Sequence, residues 1–235
     1  MQPDDPIFTC LQECERTDQP VKLINAYRGI PITYPVRVLS VGGGMVDLGV
    51  NDYQAICLAR DKKTYLQYPG KPEVLSARVI FVDIANQEAR LTEFTKATGS
   101  MGKRLCTRVQ PIAPINAEIR LEQHLLACQL VDISLTGAGI VLQETNLKEL
   151  SHIHKGARLQ LHFTLPPLHA PVQLAGQVTS VGDPGGRHLG CQIFPKGNMD
   201  RLLLEYVALR RDELMRELSL MYTTLRREGR TPFLQ

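Results

Sequence analysis

The sequence lacks long apolar runs: none approaches the roughly 18 residues that a membrane-spanning helix requires. It begins MQPDDPIF, which is acidic, so it has no basic segment typical of a secretory leader. We therefore expect a cytoplasmic protein without a membrane span. The six cysteines are scattered through apolar or connecting sequence, not arranged as a small disulfide framework, and we expect reduced thiols.

Patterns typical of catalysis and of metal binding are also missing. The glycines Gly42–Gly44 are not followed by the Lys-Ser/Thr of a P-loop, so they predict a hairpin turn. Cys10 and Cys14 have no second pair of ligands at zinc spacing, and His152 and His154 have no third ligand nearby. Nothing resembles a nucleophile elbow. We expect no catalytic residue, no metal and no enzymatic activity.

Charge of either sign is modest. The chain has 235 residues, 43% apolar and 22% charged, with a net charge of +3, which is typical of a folded soluble protein. Residues 1–98 contain 11 basic and 12 acidic side chains, whereas residues 99–235 contain 16 basic and 12 acidic ones. This excess suits an anionic ligand but is far below the dense basic face of a nucleic-acid-binding protein.

Short strand-like segments dominate the chain and predict a mainly β fold. The first group lies between residues 21 and 94: VKLINAY, PITYPVRVLSV, MVDLGV, YQAICLA, TYLQY, VLSARVIFVDI and ARLTEF. The second group is INAEIRL, HLLACQLVDIS, GIVLQ, ARLQLHFTL, APVQLAGQVTSVG and HLGCQIF, with one helical turn expected at residues 145–150. Strands this short, separated by frequent turn signals, favour a small barrel or sandwich for the first group, and the second group has about six strands, enough to close a small barrel.

Two helices are predicted, one at each end. Asp4 or Asp5 caps a helix from Pro6 to Arg16, with Ile7, Leu11 and Cys14 on one face. A long helix from Met199 to about Arg227 has an apolar stripe that either packs on a barrel or pairs with a second copy: Leu204, Val207, Leu214, Leu218, Met221 and Leu225. Its basic residues predict a solvated face: Arg210, Arg211, Arg216, Arg226 and Arg227.

We therefore expect two small β-barrel domains joined by a short linker, with a long C-terminal helix. The predicted boundaries are 1–97 for the first barrel, 98–110 for the linker, 111–198 for the second barrel and 199–228 for the helix.

The linker contains a pair of arginines suited to a nucleotide. Arg104 and Arg108 are four residues apart, after a polar stretch without apolar periodicity, which indicates a mobile tether. A guanidinium offers a planar fork to phosphate and a flat face to a purine, so the pair is able to clasp a ligand that has both.

The hairpin sequence LVDISLTGAGIVL supplies a carboxylate. Asp132 and Ser134 are two residues apart, so on an extended chain they lie on the same face. A carboxylate accepts two hydrogen bonds from the edge of a guanine, a hydroxyl bonds base or phosphate, and Gly137 lets a ligand approach the backbone.

The RxxxR motif of Arg104 and Arg108, followed by DxSxxG from Asp132 to Gly137, resembles the signature of PilZ domains, which bind the bacterial second messenger cyclic di-GMP. The preceding β-rich domain resembles the two-domain, flagellar-brake type of PilZ protein. The resemblance implies that Arg104 and Arg108 bind phosphates and guanine faces, that Asp132 and Ser134 read a base, and that Gly137 shapes the surface. Lys103 would add positive charge.

The resemblance also implies a function. The expected protein is a cyclic di-GMP effector that changes its interdomain arrangement when the ligand binds. It would regulate motility, surface attachment or polysaccharide output. Its protein partner would belong to the flagellar, pilus or polysaccharide-synthesis machinery. In this interpretation the tether is loose without ligand. Two alternatives stay open: a ligand-independent interaction module, and a ligand-gated transcription regulator. The sequence leaves the partner, the ligand stoichiometry and a homodimer through the helix undecided.

Overall fold

Twelve strands and three helices make up the described part of a computed structural model of the chain, which comprises residues 6–97, 107–121, 124–143, 153–182 and 187–228. The strands are β1 (Val21–Tyr27), β2 (Ile30–Gly42), β3 (Met45–Gly49), β4 (Lys63–Gln67), β5 (Val74–Asp83), β6 (Glu88–Lys96), β7 (Ile115–Leu121), β8 (His124–Ile133), β9 (Gly137–Leu142), β10 (Arg158–Leu165), β11 (Ala170–Val181) and β12 (His188–Phe194). The helices are α1 (Pro6–Thr17), α2 (Asp52–Arg60) and α3 (Asn198–Glu228).

The strands form two closed barrels, so the predicted fold class is confirmed. The first barrel has the order β1-β2-β3-β6-β5-β4 and closes where β4 pairs with β1. The second has the order β10-β11-β12-β9-β8-β7 and closes where β7 pairs with β10. In the described residues, the chain divides into a first unit of 6–27, 31–97 and 214–228 and a second unit that contains 28–30 and the residues from 107 to 213. The predicted domain boundaries remain predictions.

Alternation of apolar and polar residues builds the core of each barrel. On β7 every second side chain is buried, and on β10 the same holds for Leu159, Leu161, Phe163 and Leu165, as their spacing predicts. Gly43 and Gly44 both have positive φ, at +58° and +77°, between β2 and β3. That is the backbone of a two-residue hairpin turn, so the predicted turn is confirmed.

One predicted strand is wrong, because YQAICLA belongs to helix α2. The Asn51 side chain caps this helix by accepting a hydrogen bond from the Gln54 backbone amide at 2.9 Å. Five consecutive residues, 54–58, are buried, which a half-buried strand would not allow. An apolar run of this length is equally typical of a buried helix, and the asparagine before it was the signal that separates the two.

The end helices occur where predicted, but some of their buried residues differ. On α1 the buried residues are Phe8, Leu11 and Cys14, not Ile7, and the Asp4 and Asp5 cap lies outside the described residues. On α3, Val207, Leu214 and Leu218 are buried as predicted, whereas Leu204 is 56% exposed and Leu203 takes its place.

Arg210, on the same helix, contradicts the predicted solvated basic face, since only 4% of it is exposed. The reason is that the buried face of α3 is shifted by one residue from the predicted apolar stripe, with Leu203 buried in place of Leu204. Leu203, Tyr206 and Arg210 follow one another at three- and four-residue spacing and so share a face of α3.

Candidate functional site

The turn between β8 and β9 holds the predicted carboxylate. Strand β8 has an irregularity between Leu130 and Asp132, after which Asp132 lies opposite Gly139 of β9. Such a bulge re-aims the side chains that follow it. The Asp132 side chain is 26% exposed, so it lies at the barrel surface within reach of solvent.

Gly139 makes the position of that carboxylate possible. A Cβ atom at residue 139 would run into the Asp132 carboxylate, with Cγ at 2.8 Å and Oδ1 at 3.2 Å. The carboxylate therefore lies flat across the neighbouring strand, over a residue without a side chain. Sequence reasoning missed Gly139. The signal was the second glycine of GAG, two residues after Gly137 and so on the same face of β9.

The end of the linker is fixed to the second barrel by its backbone. The Val109 amide donates to the Ile133 carbonyl at 2.9 Å, and the Ile133 amide donates to the Val109 carbonyl at 3.0 Å. Val109 is fully buried. Val109, near the end of the predicted linker, is therefore paired with Ile133, because its β-branched apolar side chain is suited to a buried extended segment. The mobility predicted for the tether stays a prediction.

This backbone bridge brings Arg108 against Asp132. Arg108 Nη1 donates to Asp132 Oδ1 at 3.2 Å, and the two side chains are 30% and 26% exposed. Partial exposure limits the strength of the pair, since solvent screens such charges and exposed pairs contribute about 0–1 kcal/mol. The pair is therefore weak enough to exchange partners.

Gly137 leaves room for the guanidinium. A Cβ atom at residue 137 would lie 3.0 Å from Arg108 Nη2 and 3.3 Å from the Cys191 carbonyl oxygen. Both distances are shorter than ordinary contacts, so a side chain there would displace Arg108. Burial raises the pKa of the nearby Cys191 thiol to about 12, even though the positive charge of Arg108 opposes that rise.

Ser134 lies differently from the prediction. It is 2% exposed, and its hydroxyl donates to the Gly137 carbonyl at 3.2 Å while its amide donates to the same oxygen at 2.8 Å. Strand β8 ends at Ile133, so the two-residue alternation that would place Ser134 beside Asp132 no longer holds. Ser134 therefore stabilises the turn, and its predicted contact with a base stays a prediction.

Two predicted ligand residues, Arg104 and Lys103, lie outside the described residues, as do Cys106, His152 and the predicted helical turn at 145–150. Of the predicted site, the structure thus brings together Arg108, Asp132 and Gly137, and adds Gly139.

The chemistry of this pair is that of anion and purine recognition. Arg108 presents planar N–H donors, and Asp132 presents acceptors only. Within the described ranges, no group of three or more histidine, cysteine, aspartate or glutamate side chains is placed to hold a metal ion. No helix among the described residues is long and apolar enough to cross a membrane.

A cleft of about 1360 Å³ lies elsewhere in the second unit. Its described lining includes His162, Phe163, Tyr206, Arg210 and Glu213, but neither Arg108 nor Asp132. Size alone would favour this cleft as a ligand site. Arg108 and Asp132, which bring a planar donor and an acceptor together outside this cleft, remain the predicted ligand site.

Comparison with known proteins finds a protein-family model described as "PilZ domain" that matches residues 102–209. No curated protein matches the sequence. Among solved structures, YcgR of Escherichia coli in complex with c-di-GMP is 14% identical, with 92% of this chain and 93% of that chain covered and a TM-score of 0.44. MotI/DgrA of Bacillus subtilis, an inhibitor of motility, is 14% identical, with 83% and 96% covered and a TM-score of 0.42. MrkH of K. pneumonia in complex with c-di-GMP is 13% identical, with 90% and 95% covered and a TM-score of 0.45.

Proposed function

We propose, from the premise that residues 102–209 of this chain are a PilZ domain, that the protein is a receptor for cyclic di-GMP. The observation that carries the proposal is the Arg108–Asp132 pair, which places a guanidinium and a carboxylate side by side on the surface of the second barrel. The net positive charge of residues 99–235 adds a general attraction for a doubly charged nucleotide.

Guanine is the base that suits Asp132. The Watson–Crick edge of guanine carries two N–H donors, at N1 and N2, and a carboxylate has two acceptor oxygens to receive them. Adenine has an acceptor at N1, so its lone pair would lie against a carboxylate oxygen, which is also an acceptor, and no hydrogen bond would form there. Asp132 therefore selects guanine over adenine.

Binding requires Arg108 to exchange partners. Its Nη1 donates to Asp132 Oδ1, an acceptor that the guanine edge needs in the proposed complex. The ligand replaces this one bond with two bonds to Asp132 and gives the released guanidinium a phosphate or the face of the base. We propose that Arg104 acts in the same way from its position four residues earlier, that Lys103 adds positive charge, and that Ser134 and Gly137 shape the turn.

The output we propose is a change in the arrangement of the two units. The motif precedes the second barrel, so a ligand that rearranges residues 104–108 acts at the connection between the units and selects one arrangement. The controlled process is motility, surface attachment or polysaccharide production, through a partner protein that reads the arrangement.

Isothermal titration with cyclic di-GMP tests the receptor. We expect binding by the unaltered protein, no binding of cyclic di-AMP, and weaker binding by Arg108→Ala and Asp132→Ala. Each variant loses charge-assisted hydrogen bonds of about 1.5–3 kcal/mol, which corresponds to roughly 10- to 100-fold in Kd. Arg158→Ala, on the exposed face of β10, is the matched control and should bind normally.

Absence of heat with the unaltered protein would refute the receptor and favour a ligand-independent interaction module. Small-angle scattering tests the second part separately. An identical scattering curve with and without saturating cyclic di-GMP would refute the rearrangement even if the ligand binds.

A further inference from the structure

Arg210 has contacts that a surface arginine does not need. It is 4% exposed, its Nε donates to the Gln110 backbone carbonyl at 2.8 Å, and its Nη1 donates to Glu213 Oε2 at 2.8 Å. Two of its donor nitrogens thus have acceptors, whereas its buried Nη2 has no hydrogen-bond partner among the described residues, and burial of a charged group is costly unless its donors are paired. Gln110 provides one of those acceptors, and it lies two residues after Arg108.

Gln110 is held on its other side as well. Its amide donates to the Arg28 carbonyl at 3.0 Å, while its carbonyl accepts from Arg210. The preceding residue, Val109, exchanges both backbone hydrogen bonds with Ile133. Four hydrogen bonds therefore fix the backbone of two consecutive residues directly after Arg108.

The turn at Gly29 closes the packing around the same backbone. Gly29 has a φ of +89°, and a Cβ atom there would lie 2.8 Å from the Arg108 carbonyl oxygen. The turn at Gly29 therefore passes close to the Arg108 carbonyl oxygen, where only a residue without a side chain fits. Val109 alone separates Arg108 from Gln110, so the position of the Gln110 carbonyl and the path of the backbone at Arg108 are linked through a single residue.

We propose that Arg210 is a positioning residue for the Arg108–Asp132 site. By holding the Gln110 carbonyl, Arg210 sets where the Arg108 guanidinium stands relative to Asp132. Through the same hydrogen bond it conveys the ligand state of Arg108 to helix α3. This inference rests on the proposed function for its ligand.

The coupling is reciprocal by thermodynamic necessity. If the Arg210–Gln110 bond favours the arrangement that binds cyclic di-GMP, then cyclic di-GMP strengthens that bond and the helix segment that carries it by the same factor. A purely structural Arg210 would lower the melting temperature when replaced but would leave ligand affinity and the exchange of residues 107–110 unchanged.

The test uses the full chain with three substitutions. Arg210→Met keeps the length and packing but removes all donors, Arg210→Lys keeps the charge with one compact donor group, and Arg211→Met changes the exposed neighbour as the control. Amide hydrogen exchange is measured without ligand across residues 107–110. Cyclic di-GMP affinity is then measured by isothermal titration.

We expect Arg210→Met to exchange faster at Val109 and Gln110 and to bind cyclic di-GMP roughly tenfold more weakly, since one hydrogen bond to a charged donor is lost. Arg210→Lys should recover part of the affinity, and Arg211→Met should behave as the unaltered protein. Added ligand should slow exchange in residues 203–213 of the unaltered protein but not of Arg210→Met.

Unchanged exchange at residues 107–110 together with affinity within twofold of the unaltered protein would overturn the proposal. If Arg210→Met does not fold, the Arg210→Lys variant decides by the same exchange comparison. If the unaltered protein does not bind cyclic di-GMP, the proposed function fails, and the exchange without ligand still shows whether Arg210 positions this segment.

Discussion

Replacing Gly139 with alanine tests whether the carboxylate must lie flat across β9 for the ligand to bind. The new methyl group would lie 2.8 Å from Asp132 Cγ, 3.2 Å from Oδ1 and still nearer to Oδ2. All three distances are shorter than ordinary van der Waals contacts, which begin near 3.4 Å. The carboxylate must therefore move by about 1 Å, which costs about 1 kcal/mol in an unfavourable side-chain rotamer. Gly139 has no positive φ, so alanine adds no backbone strain and gains about 0.5–1 kcal/mol over glycine in a strand.

These two contributions to stability nearly cancel, so Gly139→Ala should fold with a free energy of unfolding close to that of the unaltered protein. Its affinity for cyclic di-GMP should nevertheless fall roughly 10- to 100-fold, because the displaced carboxylate no longer meets the guanine edge and about 1.5–3 kcal/mol of charge-assisted hydrogen bonding is lost. Urea unfolding and isothermal titration measure the two quantities independently.

A double-mutant cycle with Asp132→Ala makes this prediction specific. If Gly139→Ala acts only through the carboxylate, it has no further effect on affinity once that carboxylate is absent. Normal binding by Gly139→Ala, or losses that add in the double variant, would refute the reasoning.

The remaining predictions concern stability. Gly29→Ala should lower the free energy of unfolding by about 1–3 kcal/mol, since alanine disfavours the positive φ and its methyl group also pushes on the Arg108 carbonyl. Gly70→Ala is the control, because Gly70 has a φ of +70° but nothing within 4 Å. In urea unfolding it should show only the destabilisation that comes from the backbone conformation. In the first barrel, hydrogen bonds from Arg90 and then from Ser40 lower the pKa of Asp47 against the opposing effect of burial. Because this pKa is depressed in the folded state, the stabilisation is present above the ordinary aspartate pKa and is lost as pH falls through the folded value. Asp47→Asn should therefore unfold in urea with less dependence on pH in the acidic range, and an unchanged pH dependence would contradict the assignment.

Much of the fold follows from local patterns in the sequence. The alternation in β7 and β10, the paired glycines between β2 and β3, and the three- and four-residue spacing of α3 all act within a few residues, where sequence and structure are tied by backbone geometry. The segment YQAICLA shows the limit of this reasoning, since its apolar run fits either a strand or a buried helix.

The site was less accessible from the sequence, because its geometry depends on contacts between distant segments. Arg108 and Asp132 were identified from the motif, but Gly139 matters only because β9 passes beneath the carboxylate. Ser134 was expected at the surface, and the end of β8 at Ile133 turned it inward. Arg210 was expected in solvent, since nothing local indicates that a backbone carbonyl 100 residues earlier in the chain accepts a hydrogen bond from its side chain.

Closure of the second barrel determines how another protein is able to recognise it. Because β7 bonds to both β8 and β10, the described strands of this barrel form a ring in which each one has a neighbour on both sides. Along the paired residues of these strands, the main-chain donors and acceptors are already used within the barrel. A partner that binds the outer surface along these paired residues therefore recognises side chains. Single substitutions on that surface change which partner binds without disturbing the backbone hydrogen bonds of the barrel.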